Sequence, residues 1–268
     1  MDRRGEIINK ERLVVKLGTS SLSFPNGKMN YTRLERLAMV LSDLQSDGKE
    51  VILVSSGAVG VGAGRLKMLE PPTALVARQA LAAIGQAELI RIYQKFFDEY
   101  NQMVAQVLLT RDGLEDETRQ LNARNTINEL LRMKIIPIIN ENDTVSTAEI
   151  QFGDNDNLSA KVALMMEADL LIILSDVNGL YSGDPHTDPE AERISMVEEG
   201  DRVIDQYIRD STSAFGTGGM AAKIQAARLC MSGGVDACIV NGQDPKNIFR
   251  IMCGKDIGTL FISNRPEK

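Results

Sequence analysis

The sequence predicts an α/β fold, a mostly parallel sheet with helices on both faces. Three observations lead there. Several segments are continuous apolar runs of strand length, as strands buried on both faces require. They alternate along the chain with segments of helical period. Strand after strand then ends in small or polar residues: "VVKLGTSS", "ILVSSGAVG", "IIPIINEND" and "LIILSDVNG". In open parallel sheets, ligands bind beyond the carboxyl ends of the strands, so four such loops point to one site.

The elements follow in order. "RLVVKLGTSS" is a short buried strand running into a small-residue loop. In "NYTRLERLAMVLSDLQSDGKE", Leu34, Leu37, Leu41 and Leu44 recur at helical spacing, Asn30 or Thr32 caps the start, and Gly48 suits the position after the last turn. "EVILVSSGAVGVGAG" is a strand and a Gly-rich turn. "TALVARQALAAIGQAELIRIYQKFFDEY" is strongly helical, with Gly85 as a candidate break. "MVAQVLL" is a strand, "TRQLNARNTINELLRMK" a helix, and "IIPIINEND" a strand with a polar end. "NLSAKVALMMEA" and "TGGMAAKIQAARLCMSGG" are helices, and "DLLIILSD", "VDACIVNG" and "GTLFIS" are strands. Residues 176–216, rich in Gly, Asp, Pro and Ser, carry the weakest pattern and suit a lid or binding loop.

Composition removes several function classes. The chain has 268 residues, 43% of them hydrophobic and 25% charged, which fits a globular chain with a sizeable core. A net charge of −7 argues against nucleic-acid binding, which needs a basic phosphate-facing surface. No run approaches a membrane span, and the first residues lack a signal-peptide core, so a cytoplasmic protein is expected. Cys230, Cys238 and Cys253 are odd in number and lack metal-ligand spacing, which predicts reduced thiols. The only histidine, His186, sits in a turn-rich loop, so a catalytic triad or histidine metal centre has almost no material.

Gly-rich turns before helices offer backbone N–H groups to an anion, and "SSGAVGVGAG" and "GTGGMAAK" both qualify. The usual nucleotide signatures are absent. Each Gly-Lys pair (27–28, 48–49, 254–255) lacks the Ser or Thr of a phosphate-binding P-loop, and no clean G-x-G-x-x-G follows the first strand. Two lysines stand out. Lys16 lies near the end of an apolar strand and Lys223 one turn into a helix opened by glycines, where an ammonium can act as a point charge on phosphoryl oxygens. "FGDNDNLSA" sets Asp154, Asn155, Asp156 and Asn157 before another helix.

"VVKLGTSSL", "VSSGAVGVG", "NENDTVSTAEIQFGDNDNLSA", "SDVNGLYSGDP" and "GTGGMAAKIQAA" occur in an order that resembles the amino acid kinase family, from about residue 10 to the C-terminus. Within it, the chain is similar to the members that phosphorylate glutamate. It lacks the "KFGGTS" first loop that aspartate kinases resemble, and "SDVNG" stands where Thr-Asp is frequent, Ser175 keeping the hydroxyl. The resemblance implies a three-layer α/β/α sandwich with an open, mostly parallel sheet. It implies one domain over residues 1–268, glutamate toward the N-terminal part and ATP toward the C-terminal part, in the short form without a C-terminal PUA-type domain.

By the same resemblance, Lys16 and Lys223 contact the phosphates being transferred, and Asp156 holds the two lysines, with a possible hand in Mg²⁺ binding. Thr217, Gly218, Gly219, Met220, Ala221 and Ala222 form the nucleotide loop with Lys223. Ser175 and Asp176 lie on the nucleotide side. Ser56, Asp143 and Asn155 match glutamate-binding positions: Asp143 takes the α-ammonium, and Ser56 and Asn155 bond its carboxylate or amide-like edges. Asp154 is a weaker candidate. ATP and Mg²⁺ are the implied cofactors. Proline as feedback inhibitor, a glutamate 5-phosphate reductase partner and a homo-oligomer are the implied partners. A carboxylate acceptor is already ionised at neutral pH, so no general base is required. The alternatives are a kinase of the same fold acting on N-acetylglutamate, carbamate or UMP, and a non-catalytic amino-acid sensor.

Overall fold

The first strand, β1 (Arg12–Leu17), is buried over its last five residues, as its apolar run demands. It lies inside an eight-stranded sheet with β2 (Glu50–Ser55), β3 (Val104–Leu109), β4 (Ile136–Glu141), β5 (Leu170–Ser175), β6 (Met196–Glu198), β7 (Asp236–Asn241) and β8 (Thr259–Ile262). The order is β3-β4-β2-β1-β5-β7-β8-β6. The computed structural model describes residues 3–24, 28–68, 70–146, 155–183, 188, 190–201 and 219–264. Strands β1 to β5 and β7 run parallel; β8 is antiparallel to β7, and β6 pairs with β8 in parallel. The strand order turns at β1, which has β2 on one side and β5 on the other. That is the topological switch point, where a crevice opens beyond the strand ends.

Alternation along the strands makes two cores. Leu13, Val15 and Leu17 face one side, with Leu53, Ile172 and Leu174; Val14, Ile52, Ile173 and Ile239 face the other. Helices α2 (Tyr31–Ser46), α3 (Ala58–Arg65), α4 (Leu75–Asp98) and α9 (Asn247–Met252) supply apolar residues to the first core. Helices α5 (Arg111–Glu115), α6 (Glu117–Arg132), α7 (Asp156–Met165) and α8 (Met220–Ser232) supply the second. A one-turn helix, α1 (Thr19–Leu22), follows β1. This is the expected three-layer sandwich.

Helix α2 begins where the sequence places it. The Asn30 side chain accepts a hydrogen bond from the Arg33 backbone N–H at 3.1 Å, and Leu34, Leu37, Leu41 and Leu44 are buried. Helix α4 departs from expectation, for it continues through Gly85 without a break. The glycine is there for contact. A Cβ at Gly85 would lie 1.8 Å from the Ala58 carbonyl oxygen, and one at Gly62 would lie 2.1 Å from that of Leu81. Helices α3 and α4 therefore touch backbone to backbone. Gly57, which opens α3 at φ +94°, also needs a left-handed conformation that other residues disfavour. Strand β6 has only three residues and carries no readable alternation. Much of 176–216, with His186, lies outside the described residues. No described helix is long and apolar enough to cross a membrane.

Candidate functional site

Alternation decides where Lys16 points. It shares a strand face with Val14, toward α7 and α8, so an ammonium enters an otherwise apolar layer. It does not snorkel to water, being 2% exposed. Its Nζ lies 2.5 Å from Asp156 Oδ1. Asp156 is the first residue of α7 and is wholly buried. Its second oxygen, Oδ2, lies 3.2 Å from Lys223 Nζ. Lys223 stands in the first turn of α8 and also donates to the Gly219 carbonyl at 3.4 Å. One carboxylate thus bridges two ammonium groups, one from the switch-point strand and one from α8. A unit charge pair at such distances is worth roughly 5 kcal/mol or more at an effective dielectric of about 20, before desolvation is subtracted. The α7 N-terminus favours the carboxylate further. A Cβ on Gly18 would come within 3.4 Å of Lys16 Nζ, so the β1–α1 loop brings bare backbone close to the ammonium.

On the β2–β4 side a second set converges. Asn155 occupies the N-cap position of α7 but makes no side-chain capping bond. Its Nδ2 donates instead to the Ser55 carbonyl at 2.6 Å and to Asn140 Oδ1 at 2.7 Å. Both amide hydrogens are therefore committed, and Oδ1 has no hydrogen-bond partner among the described residues. In this orientation the Asn155 side chain has an acceptor left over. Ser56 Oγ is buried and likewise without a hydrogen-bond partner among those residues. Ser55 Oγ shares a 2.8 Å hydrogen bond with Tyr93 OH, whose pKa burial pushes up, so the phenol stays neutral.

Asp143 lies beyond the end of β4 and is 8% exposed. Burial first, and the neighbouring Glu141 carboxylate second, raise its pKa to about 6, against an opposing pull from Arg78 on α4. Glu141 Oε1 accepts from Ser146 Oγ at 2.5 Å. The ionised form of Asp143 is thus disfavoured in the unliganded chain, and a cation brought beside it would favour that form.

On the other side of β1, Ser175 ends β5 almost fully buried. Its Oγ donates to Asp176 Oδ1 at 3.1 Å, and the Gly242 N–H donates to its carbonyl at 2.7 Å. Next to it a cavity of about 270 Å³ is lined by Asn178, Tyr181, Arg193, Asn241, Asn247 and Gly258 among others. Gly219, Met220, Ala221 and Ala222 lead into Lys223 along the start of α8. Thr217, Gly218 and Asp154 lie outside the described residues.

The structure therefore brings Lys16, Asp156 and Lys223 into one ion-paired unit, and joins Asn155 to the ends of β2 and β4. Ser175 and Asp176 stand one strand away. Sequence reading missed Gln86, Asn140, Glu141 and Arg78 on the first side, and Tyr181, Asn241 and Asn247 on the second. The polar run Asn140–Asp143 ending β4 was the only signal for any of them. Among the described residues, no group of three or more His, Cys, Asp or Glu can hold a metal ion.

A model of the amino acid kinase family matches residues 11–241. The glutamate 5-kinase of Listeria monocytogenes serovar 1/2a is 49% identical over 268 residues, covering 98% of this chain and 97% of its own. That of Clostridium perfringens is 47% identical over 268 residues, covering 98% of this chain and 100% of its own. The UMP kinase crystal structure from Ureaplasma parvum superposes with a TM-score of 0.65 at 15% identity, over 95% of this chain and 99% of that one, a likeness of fold. With a family model matched over most of its length and relatives near half identity along nearly all of it, the chain belongs to the amino acid kinase family.

Proposed function

We propose that this chain transfers the γ-phosphoryl group of ATP to the side-chain carboxylate of L-glutamate, giving L-glutamyl 5-phosphate for proline synthesis. The observation that carries the reading is the buried Lys16–Asp156–Lys223 bridge at the switch point. The relatives of near half identity are named glutamate 5-kinases.

The roles follow from charge. Acceptor carboxylate and triphosphate repel each other, so the site must supply positive charge and hold both in line. Lys16 and Lys223 do so, and Asp156 keeps them in place. Glutamate sits toward Asp143, Asn155 and Ser56, with its α-ammonium on Asp143. A free ammonium relieves that carboxylate; an acylated amine or a phosphate would not, which disfavours N-acetylglutamate and UMP as acceptors. ATP lies toward Ser175, Asp176 and the Thr217–Lys223 loop. Magnesium arrives with the ATP phosphates as part of the substrate. Asp156, with one ammonium on each oxygen, orients lysines and does not ligate the ion. In this reading the polypeptide forms one catalytic domain and works as a homo-oligomer in the cytoplasm. Buried Cys230 and Cys238, with thiol pKa values pushed up to about 12, suit that reducing setting. The acyl phosphate carries a free α-amine able to attack it and close a five-membered ring, so a reductase that takes it promptly is the expected partner. Proline, a cyclic relative of the acceptor, is the expected inhibitor.

An acyl-phosphate trap tests the reading. The chain is incubated with Mg-ATP, hydroxylamine and, in turn, glutamate, aspartate, N-acetylglutamate and UMP. Hydroxamate with glutamate alone is the expected result. ADP without hydroxamate on UMP would discard the acceptor, and silence with every acceptor would favour a sensor.

A further inference from the structure

We propose that Gln86, in the middle of α4, is a positioning residue for recognition of the substrate α-ammonium, acting through Asn140 to fix which atom of Asn155 meets it. The inference rests on glutamate being the acceptor. Three amide side chains from three elements form a buried ladder. Asn155 Nδ2 donates to Asn140 Oδ1 at 2.7 Å, and Asn140 Nδ2 donates to Gln86 Oε1 at 2.6 Å. Asn155, Asn140 and Gln86 are 0%, 1% and 9% exposed.

Amide side chains are ambiguous in isolation, because oxygen and nitrogen occupy similar space. Here the backbone removes the ambiguity. The Ser55 carbonyl can only accept, so the Asn155 atom 2.6 Å from it must be Nδ2. The Glu141 backbone N–H can only donate, so the Asn140 atom 3.0 Å from it must be Oδ1. Asn140 then turns its NH₂ toward α4, and the atom it meets on Gln86 must be an acceptor. The ladder has one consistent orientation. It leaves Asn155 Oδ1 as the acceptor without a hydrogen-bond partner among the described residues. An acceptor there suits an ammonium donor and adds to Asp143. An inverted Asn155 would turn an NH₂ on that ammonium and repel it.

Gln86 is well placed to hold the ladder. Its neighbour Gly85 presses α4 onto α3, where a Cβ would sit 1.8 Å from the Ala58 carbonyl oxygen, so the depth of Gln86 is set by backbone contact. Without its Oε1, Asn140 Nδ2 is a buried donor with no acceptor. Asn140 cannot escape by flipping, since that would set its NH₂ against the Glu141 N–H and the Asn155 NH₂. The strain passes to Asn155.

The test uses the whole chain and compares wild type with Q86M and Q86E. Q86M removes the acceptor at similar length; Q86E keeps an oxygen for Asn140 Nδ2. Glutarate, which is glutamate without its amine, is titrated as a competitor of glutamate. Q86M is expected to raise KM for glutamate about 10- to 100-fold, the effect of one unsatisfied buried group. KM for ATP and Ki for glutarate should stay within about threefold of wild type. Q86E should stay within about fivefold for glutamate. Parallel losses for glutamate and glutarate would overturn the proposal, because they would mean a direct contact of Gln86 Nε2 with substrate carboxylate or a general loosening. Equal impairment of Q86E and Q86M, or an unchanged Q86M, would overturn it too. Wild type that forms no hydroxamate from glutamate defeats the functional reading itself; wild type that does, with the variants failing as described, defeats only the role of Gln86.

Discussion

Asp143 makes the most direct link from structure to assay. Its pKa of about 6 in the unliganded chain means that it is half protonated near pH 6. The causes are burial and Glu141, with Arg78 opposing. Only the ionised form can pair with an α-ammonium. If the protonated form binds glutamate poorly, apparent KM for glutamate scales as one plus the ratio of proton concentration to the acid constant. It is then near its limiting value at pH 8, roughly doubled at pH 6, and roughly elevenfold higher at pH 5. Glutamate's own side-chain carboxylate, with an unperturbed pKa of about 4.3, stays mostly ionised over this range. On the proposed pairing, saturating glutamate would hold Asp143 ionised through its ammonium, so kcat should lack the transition that kcat/KM shows.

The linkage has a definite sign. A carboxyl group whose folded pKa lies above its unfolded value stabilises the fold most at low pH, and that contribution is lost as pH rises from about 4 through 6. At neutral pH the unliganded chain carries an ionised, poorly compensated carboxylate. Asp143→Asn should therefore stabilise the unliganded fold, by about 1–3 kcal/mol, while abolishing the pH dependence of KM and leaving KM high throughout. The assay is ADP formation against glutamate at several pH values between 5 and 8, with ATP saturating, then the converse. A KM for glutamate that is flat over this range, or one that moves in parallel with KM for ATP, would refute the reasoning.

Other perturbations test the rest of the architecture. Lys16→Ala and Lys223→Ala should each lower kcat by about 10²–10³ with the fold retained, read by steady-state kinetics beside circular dichroism. Asp156→Ala should cost about 3–5 kcal/mol of stability, because it removes the buried counter-charge of Lys16, which is 2% exposed, and a denaturant midpoint reports it. Gly85→Ala should destabilise by about 1–3 kcal/mol or more through the clash with Ala58, whereas Gly64→Ala, whose Cβ meets nothing within 4 Å, should be neutral or gain up to about 1 kcal/mol; paired thermal melts decide.

Much of this was legible because strand ends carry chemistry in a fixed way. Lys16 follows four strand residues, three of them apolar, and Asp156 opens a helix after a polar loop, so sequence alone marks both. Alternation further places Lys16 on the face of Val14. What it does not say is which helices cover that face, since crossover direction and strand order decide it. Gln86 is invisible for a related reason. It sits among alanines and leucines of a helix, and its partner Asn140 is 54 residues away. The Asn155 bond to Ser55 spans 100 residues. Local pattern reports which residues are polar at a strand end; it cannot report the direction in which an amide is turned. Gly85 was misread on the same ground, since a glycine in a helix marks a break or a close contact, and only the neighbouring helix tells which.

The bridge at Asp156 shows why a site of this kind has no need of a histidine. With an acceptor already ionised, the barrier is electrostatic, and the chain must keep positive charge waiting in a water-poor crevice. Two ammonium groups brought together there without a counter-charge would repel each other. A carboxylate between them gives each ammonium an opposite charge, and its own burial is compensated by the pair and by the helix N-terminus. The 2.5 Å contact to Lys16 is tighter than the 3.2 Å contact to Lys223, and Lys16 is the more buried of the two. Lys16 is thus the more firmly held of the two charges, on the central strand, and in the proposed reaction it is the one against which the phosphoryl group would be placed. Lys223, on the first turn of α8 and held by the longer contact, would in the same proposal be the one to follow the phosphoryl group from ATP toward the carboxylate.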